Sequence, residues 1–275
     1  MALAQLNFES QYLVNNNTVS IILPDKPRFE DAETYYNSGK EYKVLWLLHG
    51  TFGDHTDWIR KSRIDLYASE RELMVVMPSG LNANYSNWPK FSMGFDMYSF
   101  LLKELMPLIH NWFPASIKPE DNYIAGQGGG LIYALNHPEK FAGVASFSAP
   151  PMDMEHMDRS LPIWPREQGK IDNAGGMEAF LGSVENTWGL ISKQAKAKNL
   201  PKFFFSCGKA DKMFYPLYLH FKEYANKVGF SAIFEEYEGY EHEWRLWDIC
   251  LESALDAFGI EKTEVKEAPM DFFVK

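Results

Sequence analysis

Lys43-Val44-Leu45-Trp46-Leu47-Leu48-His49-Gly50 is an apolar run of strand length that ends in a glycine turn. A strand that is apolar at successive rather than alternate positions is covered on both faces, as in a parallel sheet between helices. Working outward, Leu73-Met74-Val75-Val76-Met77 before Pro78 repeats the pattern, and 122–125, 141–147, 202–206 and 232–237 read as further strands. Between strands, Met97, Phe100, Leu101, Leu105, Leu108, Ile109 and Trp112 recur at helical spacing, with Asp96 placed to cap them; 215–228 and about 242–258 also read as helices. Two β-rich runs, 8–14 and 18–23, flank Asn15-Asn16-Asn17 and predict an opening antiparallel hairpin. Strands alternating with helices after a hairpin predict an α/β fold, a mostly parallel central sheet with helices on both faces.

Residues 24–41 read as a loop and 261–275 as a charged, loosely held tail. Residues 150–200 are rich in Met, Pro, Trp and Gly with weak periodicity, which predicts a lid-like insertion within a single domain spanning 1–275.

With 46% hydrophobic and 15% aromatic residues over 275 positions, the chain can bury a large core and does not have the composition of a disordered protein. A net charge of -10 without a Lys/Arg block argues against nucleic acid as a partner. No apolar run reaches the 18 or so residues of a membrane helix, and no signal peptide is evident, so the cytoplasm is the expected location. Cys207 and Cys250 are too few for a disulfide framework and read as buried thiols. The seven histidines lack metal-ligand spacing, so neither a metal nor any other cofactor is expected. The sequence leaves homo-oligomerisation open.

Ligands of such sheets bind beyond the carboxyl ends of the strands, so the turns after Leu48, Ala125, Ser206 and Tyr237 matter most. After Leu48, His49-Gly50-Thr51-Phe52-Gly53 is either an ordinary turn or one that aims a backbone N–H at an oxyanion. After Ser206, Asp211 is either a helix cap or the partner that fixes an imidazole tautomer. After Tyr237, His242 opens a helix and is either a surface cap or a general base. Strand-end acid followed about thirty residues later by histidine matches the second half of the order Ser…Asp…His.

Leu47-Leu48-His49-Gly50, His55-Thr56-Asp57-Trp58, Val76-Met77-Pro78-Ser79, Gly94-Phe95-Asp96-Met97-Tyr98, Gly208-Lys209-Ala210-Asp211 and His242-Glu243-Trp244 together resemble the tributyrin-esterase branch of the esterase D group. These are small α/β-hydrolases related to S-formylglutathione hydrolases and feruloyl esterases, and the similarity runs from about Phe8 to Phe258. The resemblance implies the α/β-hydrolase fold, Asp211 and His242 as triad acid and base, and the N–H groups of Thr51 and Gly129 as oxyanion donors. Phe52, Trp58, Trp88, Phe91 and Trp164 are candidates for an acyl or aromatic pocket, and each taken singly reads more readily as core or lid packing.

One component departs from the family. Its nucleophile stands in Gly-x-Ser-x-Gly-Gly after the strand matching 122–125, where this chain reads Gly126-Gln127-Gly128-Gly129-Gly130. Counted from the strand, Gly128 holds the serine position; counted back from His137-Pro138, the segment is about four residues short, close to one helical turn. Neither count finds a serine, and Ser146, Ser148 and Ser206 lie on neighbouring strands. A phosphate-binding turn is disfavoured, because Leu131 replaces the third glycine of the dinucleotide fingerprint. The expected function is a carboxylic ester hydrolase scaffold for small-molecule short-chain acyl or aryl (feruloyl-type) esters, with very low activity as written. The alternative is an inactive pseudo-esterase that binds an ester or acid.

Overall fold

In the computed structural model, which describes residues 1–27 and 30–263, the chain forms ten strands and eleven α-helices. In chain order these are β1 (Ala2–Ser10), β2 (Asn15–Leu23), α1 (Ala32–Tyr36), β3 (Val44–Leu48), α2 (Asp57–Lys61), α3 (Ile64–Glu70) and β4 (Met74–Pro78). A two-residue ribbon, β5 (Asn87–Trp88) with β6 (Phe95–Asp96), precedes α4 (Met97–Phe100), a π turn (Leu101–Leu105) and α5 (Met106–Trp112). Then come β7 (Asn122–Gly126), α6 (Gly129–Asn136), β8 (Gly143–Phe147), α7 (Trp164–Ala174), α8 (Met177–Leu181) and α9 (Thr187–Gln194). The chain continues through β9 (Lys202–Gly208), α10 (Phe214–Val228), β10 (Ile233–Tyr237) and α11 (Trp244–Phe258).

Eight strands make one sheet in the order β1-β2-β4-β3-β7-β8-β9-β10. The pairs β1/β2 and β2/β4 are antiparallel and the rest parallel, as the sequence predicted. Every residue of β3, β4, β7 and β8 is buried. Alternate residues of β3 serve opposite cores. Val44, Trp46 and Leu48 join one with α6 and α10, while Leu45 and Leu47 join the other with α3 and α11. Two helical layers therefore fix the central strands from both sides, and burying each such side chain contributes about 1.5–3 kcal/mol.

The hairpin is real, but its turn is Gln11–Val14 rather than Asn15–Asn17, and β1 begins at Ala2. Ser10 explains the shift. Its Oγ accepts the N–H groups of Tyr12 and Leu13 at 3.2 and 3.1 Å and donates to Glu104, while Val14 turns left-handed at φ 52°. Asn15, Asn16 and Asn17 pair with Ser10, Glu9 and Phe8. The 24–41 loop contains α1, which Asp31 caps through the Thr34 N–H at 2.8 Å. Asp96 occupies the cap position of α4 without making a side-chain cap bond, and the 97–112 helix widens into its π turn just before Pro107, which has no N–H to offer. Residues 150–200 form α7, α8 and α9 with their connections. The tail expected to be loose lies, from 264 onward, outside the described residues. Among the described residues no helix is long and apolar enough to cross a membrane.

The chain runs from β3 to β4 on one side and then returns to β7 on the other. The turns leaving β3 and β7 therefore diverge at a topological switch point, where open α/β sheets bind their ligands.

Candidate active site

At that switch point a cavity of about 800 Å³ is lined by His49, Thr51, Phe52, Gly128, Gly129 and His242 among others. Its volume suits a small molecule.

Asp211 follows β9 and is 4% exposed. Its Oδ1 accepts the N–H groups of Met213 and Phe214 at 3.1 and 2.9 Å, and its Oδ2 accepts His242 Nδ1–H at 2.9 Å. The same carboxylate thus closes the start of α10 and orients the imidazole, so the cap and the imidazole partner are one group. Burial alone would push the Asp211 carboxyl up, but the hydrogen bond from His242 and those from Phe214 and Met213 outweigh it and hold it below the usual carboxylate range. His242 lies between β10 and α11. Its ring stacks on Phe214 at 4.6 Å and meets the edge of Trp247 at 4.9 Å, so its plane is fixed as well as its tautomer.

The turn after β3 is held from several sides. His49 donates Nδ1–H to the Gly50 carbonyl at 2.7 Å and accepts the Gly80 N–H on Nε2 at 2.7 Å. Burial depresses its pKa, so the ring stays neutral, as that bonding requires. Phe52, left-handed at φ 63°, donates its N–H to Asn82 Oδ1 at 2.9 Å. Arg166 of α7 reaches Thr51 Oγ1 at 2.5 Å and also binds Asn84 Oδ1.

Between β7 and α6 the chain makes a sharp strand-to-helix turn. Gly126, at φ +142°, passes so close to β3 that an added Cβ would lie 2.0 Å from the Leu48 carbonyl oxygen. Gly128 has φ +94° and ψ −31°, a conformation that costs a side-chain-bearing residue about 1–3 kcal/mol. Gly129 is the first residue of α6, so its N–H has no acceptor within the helix.

The structure brings Thr51, Phe52, Gly128, Gly129, Asp211 and His242 to one end of the sheet; Asp211 stands behind His242, and the other five line the cavity. The remaining aromatic candidates are elsewhere. Trp58 is 1% exposed, its Nε1–H donates to the Leu48 carbonyl at 3.1 Å, and it packs between Phe147 and Trp244; it is a core residue. Trp88 donates Nε1–H to the Ala83 carbonyl, Phe91 is exposed against Phe95, and Trp164 packs beside α8 under Arg159; none of the three is on the cavity wall. Ser146 Oγ is spent on the Ala149 carbonyl at 2.6 Å, and Ser206 is buried away from the cavity. Ser148 lines the cavity but accepts Trp247 Nε1–H at 3.2 Å. Cys207 and Cys250 are buried free thiols, each pushed up to about 12 by burial.

The sequence reading missed Gln127, Phe214 and Trp247, and Arg166, Glu167 and Glu185 from the 150–200 segment, all on the cavity wall. For Trp247 a signal existed, since it follows Trp244 at helical spacing and lies five residues after His242. The 150–200 segment offered none.

A carboxylate–imidazole pair beside a strand-to-helix turn, at the C-terminal edge of an eight-stranded sheet, defines the α/β-hydrolase class. The family described as "Putative esterase" matches residues 10–258, and the chain belongs to it. Acetyl esterase of Caldicellulosiruptor saccharolyticus is 27% identical over 274 residues, covering 93% of this chain and 97% of that protein. Among solved structures, fluorophosphonate-binding serine hydrolase F of Staphylococcus aureus superposes with a TM-score of 0.78 at 29% identity, covering 94% of this chain and 98% of that one. S-formylglutathione hydrolase of the same organism gives a TM-score of 0.75 at 28% identity, covering 94% and 99%.

Proposed function

We propose that the cavity receives a small short-chain acyl or aryl (feruloyl-type) ester, with its carbonyl oxygen toward the N–H groups of Thr51 and Gly129 and its carbonyl carbon beneath His242. Asp211 is the orienting acid and His242 the base of a serine-type hydrolase site whose nucleophile position is occupied by Gly128. The 150–200 segment, latched to the Thr51 turn by Arg166, acts as a lid on a single-domain cytoplasmic protein that needs no cofactor. Phe52, at the mouth, contacts the substrate. The observation that carries this reading is the 2.9 Å bond from His242 Nδ1 to Asp211 beside the Gly128 turn.

Glycine supplies no oxygen to form an acyl-enzyme, so turnover as written is very low. In other triad hydrolases loss of the serine costs about a million-fold, on the order of 8 kcal/mol. Gly128 itself favours the second reading, a pseudo-esterase that binds an ester or acid without releasing product. Hydrolysis of p-nitrophenyl acetate and butyrate by the native chain and by Gly128→Ser tests the reading. A large gain on substitution supports a hydrolase scaffold. No gain in a folded variant, with saturable binding of butyrate, favours the pseudo-esterase.

A further inference from the structure

We infer that the native chain hydrolyses esters and thioesters with good leaving groups by direct attack of water, driven by His242 without an acyl-enzyme. The inference rests on the ester-site reading above. Three observations carry it. His242 already has its tautomer and ring plane set by Asp211, Phe214 and Trp247, so its second nitrogen is the basic one and needs no further partner to be oriented. A Cβ added at Gly128 would stand 3.0 Å from the Ala149 Cβ and 3.7 Å from its carbonyl oxygen, with no other atom within 4 Å among the described residues outside its two chain neighbours. A side chain there is crowded by the Ala149 methyl and by nothing else as close. Finally, Gly128 lines the same cavity as His242, Thr51 and Gly129.

A bound water needs at least two polar partners, and in this proposal they are the Ala149 carbonyl oxygen, 3.7 Å from where a Cβ would stand, and His242 Nε2. The step is a single displacement. As the water oxygen bonds to the carbonyl carbon, one of its protons passes to His242 Nε2, and the carbonyl π pair moves onto oxygen, facing the Thr51 and Gly129 N–H groups. Collapse of the tetrahedral intermediate breaks the bond to the leaving oxygen or sulfur, which takes the proton back from His242. Ester plus water gives acid plus alcohol or thiol, and no co-reactant is consumed. Leaving group decides the substrate class. Phenols and thiols, with pKa values of about 10 and 8.5, depart with little protonation, whereas alkyl alkoxides do not.

The test measures hydrolysis of p-nitrophenyl acetate and phenyl thioacetate by the native chain, His242→Ala and His156→Ala, with and without prior fluorophosphonate treatment. His156 is the matched control. It is exposed and pairs with Asp153 at 3.0 Å, but it lies off the cavity wall. General-base catalysis is worth about 10²–10⁴-fold. The expected result is a rate linear from the first turnover, untouched by fluorophosphonate, lowered about 100-fold in His242→Ala and unchanged in His156→Ala. Equal rates for the native chain and His242→Ala overturn the inference, and so does a burst stoichiometric with enzyme or a fluorophosphonate adduct. Gly128→Ser assayed alongside separates the two levels. A gain there keeps the ester-site reading even when water attack fails, and no gain with no butyrate binding removes both.

Discussion

Gly128→Ser places a hydroxyl on the strand-to-helix turn, and under the proposed function its effect can be worked from the geometry. A correctly placed serine is worth up to about 10⁶ in turnover. Two features reduce that figure. The backbone at φ +94° holds a non-glycine residue at a cost of about 1–3 kcal/mol, which lowers stability rather than rate. The new Cβ also lies 3.0 Å from the Ala149 Cβ, so the pair must separate by a few tenths of an ångström. A misplacement of about 1 Å costs roughly 10²-fold. The single variant should therefore hydrolyse p-nitrophenyl butyrate about 10³–10⁴-fold faster than the native chain. Gly128→Ser with Ala149→Gly, which removes the crowding methyl, should be faster still. Stopped-flow traces of both should begin with a burst of nitrophenolate equal to the enzyme concentration. Native-like circular dichroism with no gain and no burst in either variant would refute the placement of position 128 against His242.

Asp211→Asn keeps an oxygen for the Met213 and Phe214 N–H groups but presents the wrong partner to His242 Nδ1. In the Gly128→Ser background it should lose about 10⁴-fold in kcat with a thermal midpoint near that of the parent, whereas Asp211→Ala should also lose about 1 kcal/mol of stability in urea melts. Trp58→Ala should destabilise the fold by about 3–5 kcal/mol, since the residue is 1% exposed. Phe52→Ala, at a residue 91% exposed, should leave stability unchanged and raise KM for aryl esters in the Gly128→Ser background. The depressed pKa of His49 means that the unfolded chain binds its proton more readily than the folded one. Stability is therefore full above the ordinary value of 6.5, falls as pH drops from there towards the depressed folded value, by at most about 1.4 kcal/mol per pH unit, and falls no further below it. Urea melts between pH 5 and 8 should show this slope in the native chain and a shallower one in His49→Gln.

The central sheet was legible because burial on both faces leaves a simple trace. Val44–Leu48 and Met74–Pro78 are apolar at nearly every position, and every residue of both is buried. That Asp211 and His242 could meet was legible from their places at strand ends and their order along the chain, while the roles proposed for them come from the family resemblance. What escaped depends on contacts that sequence periodicity does not encode. The hairpin turn moved because one hydroxyl, that of Ser10, gathers two N–H groups and the Glu104 carboxylate across more than ninety residues. Trp58 could be read as a pocket or a core aromatic, and the carbonyl at the end of β3, which claims its indole N–H, makes it core. Arg166 sits in a segment without helical periodicity, and its role at Thr51 arises only when α7 is laid over the turn after β3. Asp211 shows why two readings of one residue need not compete: one oxygen caps α10 while the other holds the imidazole.

The most direct measurement is intact-mass analysis after fluorophosphonate treatment of three proteins: the native chain, Gly128→Ser, and Gly128→Ser with His242→Ala. The proposed site, with His242 as base and glycine at the nucleophile position, predicts no adduct on the first, one adduct on the peptide carrying position 128 in the second, and at least a hundred-fold slower labelling in the third. An adduct on the native chain, or labelling of Gly128→Ser at the same rate with and without His242, would contradict it.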